Sequence, residues 1–364
     1  MKILFAIDTM TKGGAERVIS NLSNYLIEDN KVEILTLLDR ECAYELNEKI
    51  KFHSLKISEK KKNIFEKVIY TLKNVKKYIK QIEQIEPDII ISFLPRSSYY
   101  AIIASMKNKI KILVSERNDP NEEYKNAVDR LLMNILYKRA TGFIFQTEQA
   151  QHYYNKKIQQ RSVIIPNPID EKFLCEPYKH NRRDEIVTAG RLTEQKNQIM
   201  LINAFEIVKQ KYPQYILKIY GDGPLKDELQ EIIFDKKLEK SVFLSGITNN
   251  LKEDIYESGI FVMSSNYEGM PNALMEAMAM GIPVVSTDCP CGGPKFLIGN
   301  NENGLLVKVN DTNNMANAII RLIDDKDLAQ QLSNNAHKKL ETMHPNIIND
   351  KWKKYIYSIE NNNN

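Results

Sequence analysis

The stretch Glu268-Gly-Met-Pro-Asn-Ala-Leu-Met-Glu276 follows an apolar run, Gly259–Ser265, that is typical of a buried β-strand. Pro271 suits the start of a helix, because its φ angle is fixed and it has no N–H to leave unpaired. The predicted helix runs to Met280, and Gly281 is suited to ending it. This pattern places the first glutamate in a loop at the carboxyl end of a strand and the second about two helical turns further on.

Between the two glutamates, the start of the helix offers unpaired backbone N–H groups and the positive end of the helix dipole. Amides of this kind bind phosphate oxygens, while carboxylates bind hydroxyl groups. The stretch therefore suits a polyol linked to a phosphate. The alternative is a surface glutamate and a helix glutamate at chance spacing, and the stretch alone does not decide between the two.

Length and charge set the frame for the whole chain. Its 364 residues are enough for two domains, each with its own core. The half up to Pro166 carries 28 Lys and Arg against 20 Asp and Glu, whereas the rest carries 23 against 27. A basic first half indicates an anionic surface or partner on that side.

The four cysteines, Cys42, Cys175, Cys289 and Cys291, are scattered. Cys289-Pro-Cys291 lacks a second pair of ligands nearby, so no zinc site is expected. The apolar start, Lys2–Ile7, is too short for a signal segment, and no run approaches the ~18 apolar residues of a membrane span. A cytoplasmic protein is expected, with contact to the inner face of the cell membrane as an open option.

Apolar strands alternate with helical segments in both halves of the chain, which predicts parallel sheets covered on both faces. Pro166 and Pro168 disfavour a helix and indicate an extended connector. We therefore predict two doubly wound α/β domains, residues 1–166 and 167–345, with a terminal helix in residues 346–364 that carries Trp352, the one tryptophan. In such sheets ligands bind beyond the carboxyl ends of the strands, and the cleft between the domains is the expected site.

The segment Lys56–Glu86 has apolar residues near helical spacing and nine lysines between Lys56 and Lys80. One interpretation is an interfacial helix on anionic lipid. The favoured one is a domain helix whose apolar face packs on the sheet, with lysines that still meet lipid headgroups.

Three glycine loops follow predicted strands. Gly13-Gly14 frees the amides of the next helix for an anion, although it is not the G-x-G-x-x-G pattern of a dinucleotide dehydrogenase. Arg191 and Lys196 flank a helix start and would suit a departing diphosphate. Gly221-Asp-Gly223 is a turn that would also suit a nucleotide pocket. The histidines form no spaced cluster, so no metal ion is expected.

Together, Gly13–Arg17, Gly190–Asn197, Gly221–Pro224 and Glu268–Val284 resemble the retaining glycosyltransferases of family 4, which have the GT-B fold. The resemblance covers essentially the whole chain with its motifs in the family's order. It implies two Rossmann-like domains, the first for the acceptor and the second for the nucleotide sugar, and a C-terminal helix that crosses back onto the first domain.

The resemblance also implies roles for single residues. Arg191 and Lys196 would neutralise the leaving diphosphate, and Glu268 would hold hydroxyls of the donor sugar. Gly14 would bring its amide to the diphosphate, and Glu276 would hold the nucleotide ribose. The remaining donor-binding residues would be Gly221, Gly269, Met270, Pro271, Asn272, Ala273 and Leu274.

The first-domain loop Ser115–Asp119 departs from the family's pattern, since many relatives have a histidine where this chain has Arg117. An arginine donates hydrogen bonds but is no base near neutral pH, so it would hold sugar or phosphate oxygens. Glu116 and Asp119 would orient the acceptor hydroxyl, with Gly13 also on the acceptor side. A helix-capping role for Asp119 is the alternative.

The loop Gly13–Arg17, Ser115–Asp119 and the stretch Pro290–Lys295 carry a narrower resemblance. It is to bacterial enzymes that extend polyprenyl-diphosphate-linked sugars for capsule, O-antigen or protein glycans. It implies UDP-GalNAc or UDP-GlcNAc as donor, a lipid-linked glycan as acceptor, no metal or other cofactor, and no nucleic acid partner. The alternatives are a non-catalytic nucleotide-sugar-binding protein and a sugar-nucleotide epimerase of the same fold; a glycan phosphorylase would need a pyridoxal phosphate lysine, for which the sequence offers no context.

Overall fold

Two parallel β-sheets organise the chain, one in each of two units of a computed structural model that describes residues 1–57, 64–178 and 180–361. The first unit comprises Met1–Asn167 and Asn346–Asn364, and the second comprises Pro168–Pro345. The chain therefore leaves the first unit after Asn167 and returns to it for its last helix. The expected fold class, two doubly wound α/β units of the GT-B type, is confirmed.

The first sheet has seven strands in the order β3-β2-β1-β4-β5-β6-β7. The central strands are runs of Ile, Leu, Val and Phe buried on both faces, as a sheet covered by helices on both sides requires. The strands are β1 (Lys2–Ile7), β2 (Lys31–Thr36), β3 (Lys51–Ser54), β4 (Ile89–Phe93), β5 (Lys111–Ser115), β6 (Gly142–Phe145) and β7 (Ser162–Ile164).

The helices of the first unit include one, α15, from the far end of the chain. They are α1 (Gly14–Leu26), α2 (Ile64–Ile85), α3 (Pro95–Asn108), α4 (Pro120–Glu123), α5 (Ala127–Leu136), α6 (Glu148–His152), α7 (Lys156–Gln159) and α15 (Pro345–Asn361). Trp352 of α15 is fully buried and stacks on Phe93 at the end of β4, with ring centroids 5.8 Å apart. This contact anchors α15 in the core of the first unit.

The second sheet has six strands in the order β10-β9-β8-β11-β12-β13. They are β8 (Arg183–Ala189), β9 (Ile216–Tyr220), β10 (Val242–Gly246), β11 (Ser258–Met263), β12 (Val284–Thr287) and β13 (Leu305–Val307). The helices are α8 (Gln198–Lys211), α9 (Lys226–Asp235), α10 (Leu251–Ile255), α11 (Asn272–Ala279), α12 (Gly293–Leu297), α13 (Thr312–Asp324) and α14 (Lys326–Glu341).

Three strands, β3, β7 and β13, are missing from the sequence-based prediction. All three lie at the edge of a sheet and have only three or four residues. Runs of three or four residues are too short for composition or periodicity to separate them from loops.

Helix α2 departs from the expectation that its whole apolar face packs inward. Tyr78, Ile82 and Ile85 are buried, but Ile69 and Leu72 are each more than half exposed. Residues 58–63 of the basic segment lie outside the described part of the chain. In the described residues, no helix is long and apolar enough to cross a bilayer.

Candidate functional site

The predicted donor residues of the second unit lie on loops that leave the carboxyl ends of β8, β9 and β11. β8 and β11 are neighbours in the sheet, and β9 flanks β8 on its other side. The loops of residues 190–197, 221–223 and 264–271 therefore emerge at one edge of the sheet. Open α/β sheets bind their ligands at this edge.

Helix α11 begins one residue later than predicted. Pro271 is its N-cap rather than a residue of the first turn, and its carbonyl accepts from the Met275 amide at 3.1 Å. Gly281 has a φ of +64° just after the helix, which confirms it as the stop. The N-terminal turn leaves Asn272 and Ala273 partly exposed.

Glu276 lies one turn along α11, on the side of the helix that carries Asn272 and Ala273. The residue is buried overall, with 7% of its surface exposed. A carboxylate is thus held one turn beyond the N-terminal residues of the helix. This is the arrangement that the sequence pattern predicted for the pair of glutamates.

Lys196 and Glu268 form the central contact of this edge. Lys196 Nζ lies 2.5 Å from Glu268 Oε1, and Ser265 Oγ donates to the same carboxylate oxygen at 2.7 Å. Both charged side chains are largely buried. A largely buried ion pair with an additional hydroxyl donor holds its geometry, because separating the charges would leave each without compensation.

Hydrogen bonds join the two loops that carry this pair. Ser264 Oγ donates to the carbonyl of Lys196 at 2.9 Å, and the Asn266 amide donates to the carbonyl of Gln195 at 2.7 Å. Gln195 Nε2 in turn donates to the Tyr267 carbonyl at 3.1 Å. The loop after β8 and the loop after β11 therefore move as one body.

Gly221 brings a third loop against this assembly. Its φ is +134°, and a Cβ placed on it would lie 1.9 Å from the carbonyl oxygen of Gly190. The Gly190 amide donates to the Tyr220 carbonyl at 2.9 Å. Only glycine permits this approach, so Gly221 supports the position of the loop that carries Lys196.

Arg191 follows Gly190 and is exposed at the same edge of the sheet. Its carbonyl accepts from Gln198 Nε2 at 2.9 Å, which fixes its backbone at the start of α8. Among the described residues, no side chain pairs with this guanidinium, whereas the Lys196 ammonium is paired with Glu268.

Two residues that the sequence-based prediction missed hold Glu268. Ser265 donates to its carboxylate, and Thr287 Oγ1 donates to the Ser265 carbonyl at 2.6 Å. Both hydroxyls are buried at strand ends. In the sequence, both are short polar residues at the end of an apolar run, and this was the signal that could have identified them.

Burial, together with the nearby Glu268 carboxylate, raises the pKa of the Cys289 thiol to about 12, so this thiol stays protonated.

In the first unit, Gly13 and Gly14 stand at the start of α1, as N-cap and first helical residue. The Gly13 amide donates to the hydroxyl of Tyr44 at 3.0 Å, and that hydroxyl donates to the Gly13 carbonyl at 2.7 Å. A Cβ on Gly13 would meet the Glu16 carboxylate at 2.2 Å. The glycine therefore lets the glutamate fold back over the first turn.

Glu116 does not lie open to an acceptor. It is 3% exposed, and the hydroxyls of Tyr124, at 3.0 Å, and Tyr137 both donate to its Oε1. Burial raises the pKa of this carboxyl to about 7. The sequence could not indicate this environment, because the tyrosines come from later segments that only the fold brings to β5.

Arg117 packs into the core rather than projecting into solution. Its guanidinium carbon lies 5.0 Å from the centre of the Phe93 ring and 5.1 Å from that of Trp352. Nη1 donates to Asn167 Oδ1 at 3.1 Å. Burial lowers the pKa of Arg117 to about 9, which still leaves it charged at neutral pH.

Asp119 is the N-cap of α4, and its carboxylate accepts from the Asn121 amide at 2.9 Å. This is the capping role that the sequence left as the alternative to acceptor binding. Across the described ranges of the chain, no three His, Cys, Asp or Glu side chains form a group suited to a metal ion.

Two family models match the chain in sequence. The model of glycosyl transferases group 1 matches residues 172–339, and the model of Glycosyltransferase Family 4 matches residues 12–173. Each match falls on one of the two units.

Curated relatives match over most of their length. A glycosyltransferase of Methanocaldococcus jannaschii, described as uncharacterised, is 30% identical over 351 residues, which cover 82% of this chain and 86% of that protein. A Campylobacter jejuni protein is 27% identical over 366 residues and 99% of both chains. Its name is GalNAc-alpha-(1->4)-GalNAc-alpha-(1->3)-diNAcBac-PP-undecaprenol alpha-1,4-N-acetyl-D-galactosaminyltransferase.

Solved structures have the same fold at lower sequence identity. Anabaena HepE in complex with UDP and glucose superposes with a TM-score of 0.81 at 19% identity, covering 98% of this chain and 100% of that chain. TarM superposes with a TM-score of 0.79 at 18% identity, covering 97% and 98%.

Proposed function

Because the chain belongs to the glycosyltransferases of the GT-B fold, we propose that it transfers a sugar from a nucleotide diphosphate sugar to a glycan, with retention of anomeric configuration and without a metal ion. The observation that carries this proposal is the Lys196–Glu268 pair beside the N-terminal turn of α11. The pair places an ammonium group, a carboxylate and backbone amides within one loop assembly. A sugar with hydroxyls on one side and a diphosphate on the other fits this set.

In the proposed reaction, an acceptor hydroxyl attacks the anomeric carbon on the face from which the diphosphate departs. The bond between the anomeric carbon and the phosphate oxygen breaks, and the released diphosphate takes the proton of the acceptor. Arg191 and Lys196 stabilise the charge that develops on the diphosphate, together with the amides of α11. Glu268 holds the sugar hydroxyls, and Glu276 holds the ribose.

When the diphosphate arrives, Lys196 is shared between it and Glu268. A carboxylate that has partly lost its ammonium partner accepts hydrogen bonds from sugar hydroxyls more strongly. The Lys196–Glu268 contact thus preorganises both groups for the proposed reaction.

For the donor and acceptor we propose UDP-GalNAc or UDP-GlcNAc and a polyprenyl-diphosphate-linked glycan, in capsule, O-antigen or related glycan synthesis. The support is the C. jejuni relative, whose name states transfer of N-acetylgalactosamine to an undecaprenyl-diphosphate-linked glycan. Lys73, Lys76 and Lys80 are exposed on α2 and would meet an anionic membrane surface that carries such an acceptor.

A donor screen in EDTA tests the proposal. Thermal shift and slow hydrolysis are measured across UDP-, GDP- and ADP-sugars without acceptor. One sugar nucleotide that stabilises the fold and is slowly cleaved in EDTA supports metal-independent transfer. Binding that requires added Mg²⁺ or Mn²⁺ contradicts metal independence, and no binding of any sugar nucleotide contradicts the donor site.

A further inference from the structure

We infer that a cavity between α2, α3 and α5 of the first unit binds an amphiphilic glycoside, with its sugar inside and its hydrocarbon chain along the exposed face of α5. The inference rests on the proposed function, because it specifies which part of a glycan acceptor the first unit recognises. None of the acceptor residues predicted from the sequence lines this cavity.

The cavity lies where a doubly wound sheet binds its ligands. In the first sheet the strand order reverses between β1 and β4, and the cavity is lined by Asp8 just after β1 and by Leu94 and Arg96 just after β4. A crevice at the carboxyl ends of strands on either side of such a reversal is the expected ligand site of the fold. Its volume is about 660 Å³, within the range of small-molecule sites.

The polar part of the lining suits sugar hydroxyls better than phosphate. Among the described residues, it includes three carboxylates, Asp8, Glu123 and Asp129, and one cation, Arg96, which lies 3.6 Å from Asp8. Carboxylates accept hydrogen bonds from hydroxyl groups but repel phosphate. Tyr99 also lines the cavity and supplies an aromatic ring.

Much of the remaining lining is aliphatic. Val75 of α2, Ile103 of α3, and Leu132 and Leu136 of α5 form this aliphatic wall. A free sugar needs no wall of this kind, whereas a sugar joined to a hydrocarbon chain does. The cavity therefore suits an occupant that has both polar and apolar groups.

The aliphatic wall continues outside the cavity along α5. Leu132 lines the cavity and is 42% exposed, and Val128, Leu131 and Ile135 lie next to it on the helix, 65%, 60% and 53% exposed. Four large aliphatic side chains on the solvent face of a ten-residue helix are the reverse of normal amphipathic packing. This exposed α5 face would cover a hydrocarbon chain that leaves the cavity.

Two alkyl glycosides test the inference without any nucleotide sugar. Binding of octyl N-acetyl-β-glucosaminide, below its micelle concentration, and of the methyl glycoside is measured by calorimetry. The octyl compound should bind about tenfold more tightly, because its added methylenes are removed from water. Since no donor takes part, failure of the donor screen leaves this result unaffected.

Variants separate the two parts of the site. Leu131→Ser with Ile135→Ser should remove most of the octyl advantage while the methyl glycoside binds as before, because both side chains lie outside the cavity. Ile103→Trp should weaken both compounds, because the indole fills the cavity. Phe234→Ser with Ile247→Ser removes equally exposed apolar groups from the second unit and should change neither affinity.

Four results would overturn the inference. The first is equal binding of the octyl and methyl compounds, and the second is an octyl advantage that survives the α5 double variant. The third is loss of phosphatidylglycerol vesicle binding by that variant with alkyl glycoside binding intact, which would assign the exposed α5 face to the bilayer. The fourth is a wild-type dimer that the α5 double variant converts to monomer, which would assign the face to a second copy of the chain.

Discussion

At the scale of single residues, Lys196 has both a structural role and a proposed chemical role. Lys218, which makes a similar ion pair away from the proposed site, allows the two roles to be measured separately. Lys218 Nζ lies 2.5 Å from Glu185 Oε2, and Ser258 Oγ donates to the other oxygen of that buried carboxylate. The second unit thus contains two lysine–glutamate–serine contacts, of which one lies at the loop edge and the other within the sheet.

We predict that Lys196→Ala lowers kcat by about 10²–10³-fold, because a cation is lost where charge develops on the diphosphate. Lys218→Ala is the control. Both changes should lower the free energy of unfolding by about 1–3 kcal/mol, since each leaves a buried carboxylate with one donor fewer. Steady-state kinetics and urea unfolding measure the two effects. Equal turnover in the two variants would remove Lys196 from the chemistry.

For Glu276→Ala we predict a donor KM raised by about tenfold with a smaller change in kcat, because the contact that we propose for Glu276 is to the ribose, away from the reacting bond. The donor KM of Glu276→Gln, which still offers an acceptor oxygen, should lie between those of Glu276→Ala and the wild type. Donor titrations at saturating acceptor measure the three KM values. A fall in kcat at unchanged KM would place Glu276 at the reacting sugar instead.

Glu116 gives a prediction about pH. Its pKa is raised from 4.5 to about 7 in the folded protein, so the folded state binds the proton more tightly than the unfolded state. Stability from this group is fully present below pH 4.5 and is lost as the pH rises through about 7. Glu116→Gln should therefore be more stable than the wild type at pH 8, by on the order of 1–3 kcal/mol, and this advantage should be much smaller at pH 5.

Urea unfolding of both proteins at pH 5, 6, 7 and 8 measures that difference. A difference that stays constant over this range would mean that Glu116 titrates normally and that the tyrosine hydroxyls compensate for its burial.

At the scale of elements, the central strands and the α11 loop could be predicted because their signals are local. A continuous apolar run, a proline and a glycine locate β11 and α11 to within a residue or two. The tyrosines around Glu116 could not be predicted, since residues 8 and 21 positions away converge on it only in three dimensions. For α5, an apolar face is visible in the sequence, but the sequence does not say that the face points outward.

The contact between the loops after β8 and β9 gives a prediction about glycine. Gly221→Ala should cost about 2–4 kcal/mol, because its Cβ would collide with the Gly190 carbonyl. Gly246→Ala is the control: its φ is also positive, at +71°, but no atom lies within 4 Å of the added Cβ. That variant should lose only about 1 kcal/mol, from backbone strain alone.

Thermal unfolding compares the two glycine variants, and donor binding should weaken only in Gly221→Ala, since that loop supports Lys196. Equal losses in both variants would show that the collision is relieved by a small backbone shift.

At the scale of the whole molecule, the first unit depends on a helix that follows the entire second unit in sequence. Trp352→Ala should lower the free energy of unfolding of the first unit by about 3–5 kcal/mol, the cost of an aromatic cavity in a core. Trp352→Phe should lose much less, because the indole Nε1 has no hydrogen-bond partner in the described residues and a phenyl ring still stacks on Phe93.

Hydrogen exchange resolved by segment shows which parts of the chain lose stability in Trp352→Ala. Exchange should accelerate in β4 and around Arg117, which the indole covers, and stay unchanged in β8 and β11. Acceleration in both sheets would mean that the two units unfold as one cooperative body.

The return of the chain for α15 also sets an order of events in synthesis. The strands and other helices of the first unit are made before the second unit, yet the indole that covers Phe93 and Arg117 is made after it. During that interval the first unit exposes an apolar slot that only α15 fills. A chain cut after Pro345 would therefore keep every element of the second unit and leave the first unit unfinished, which is the form that chaperones and proteases recognise.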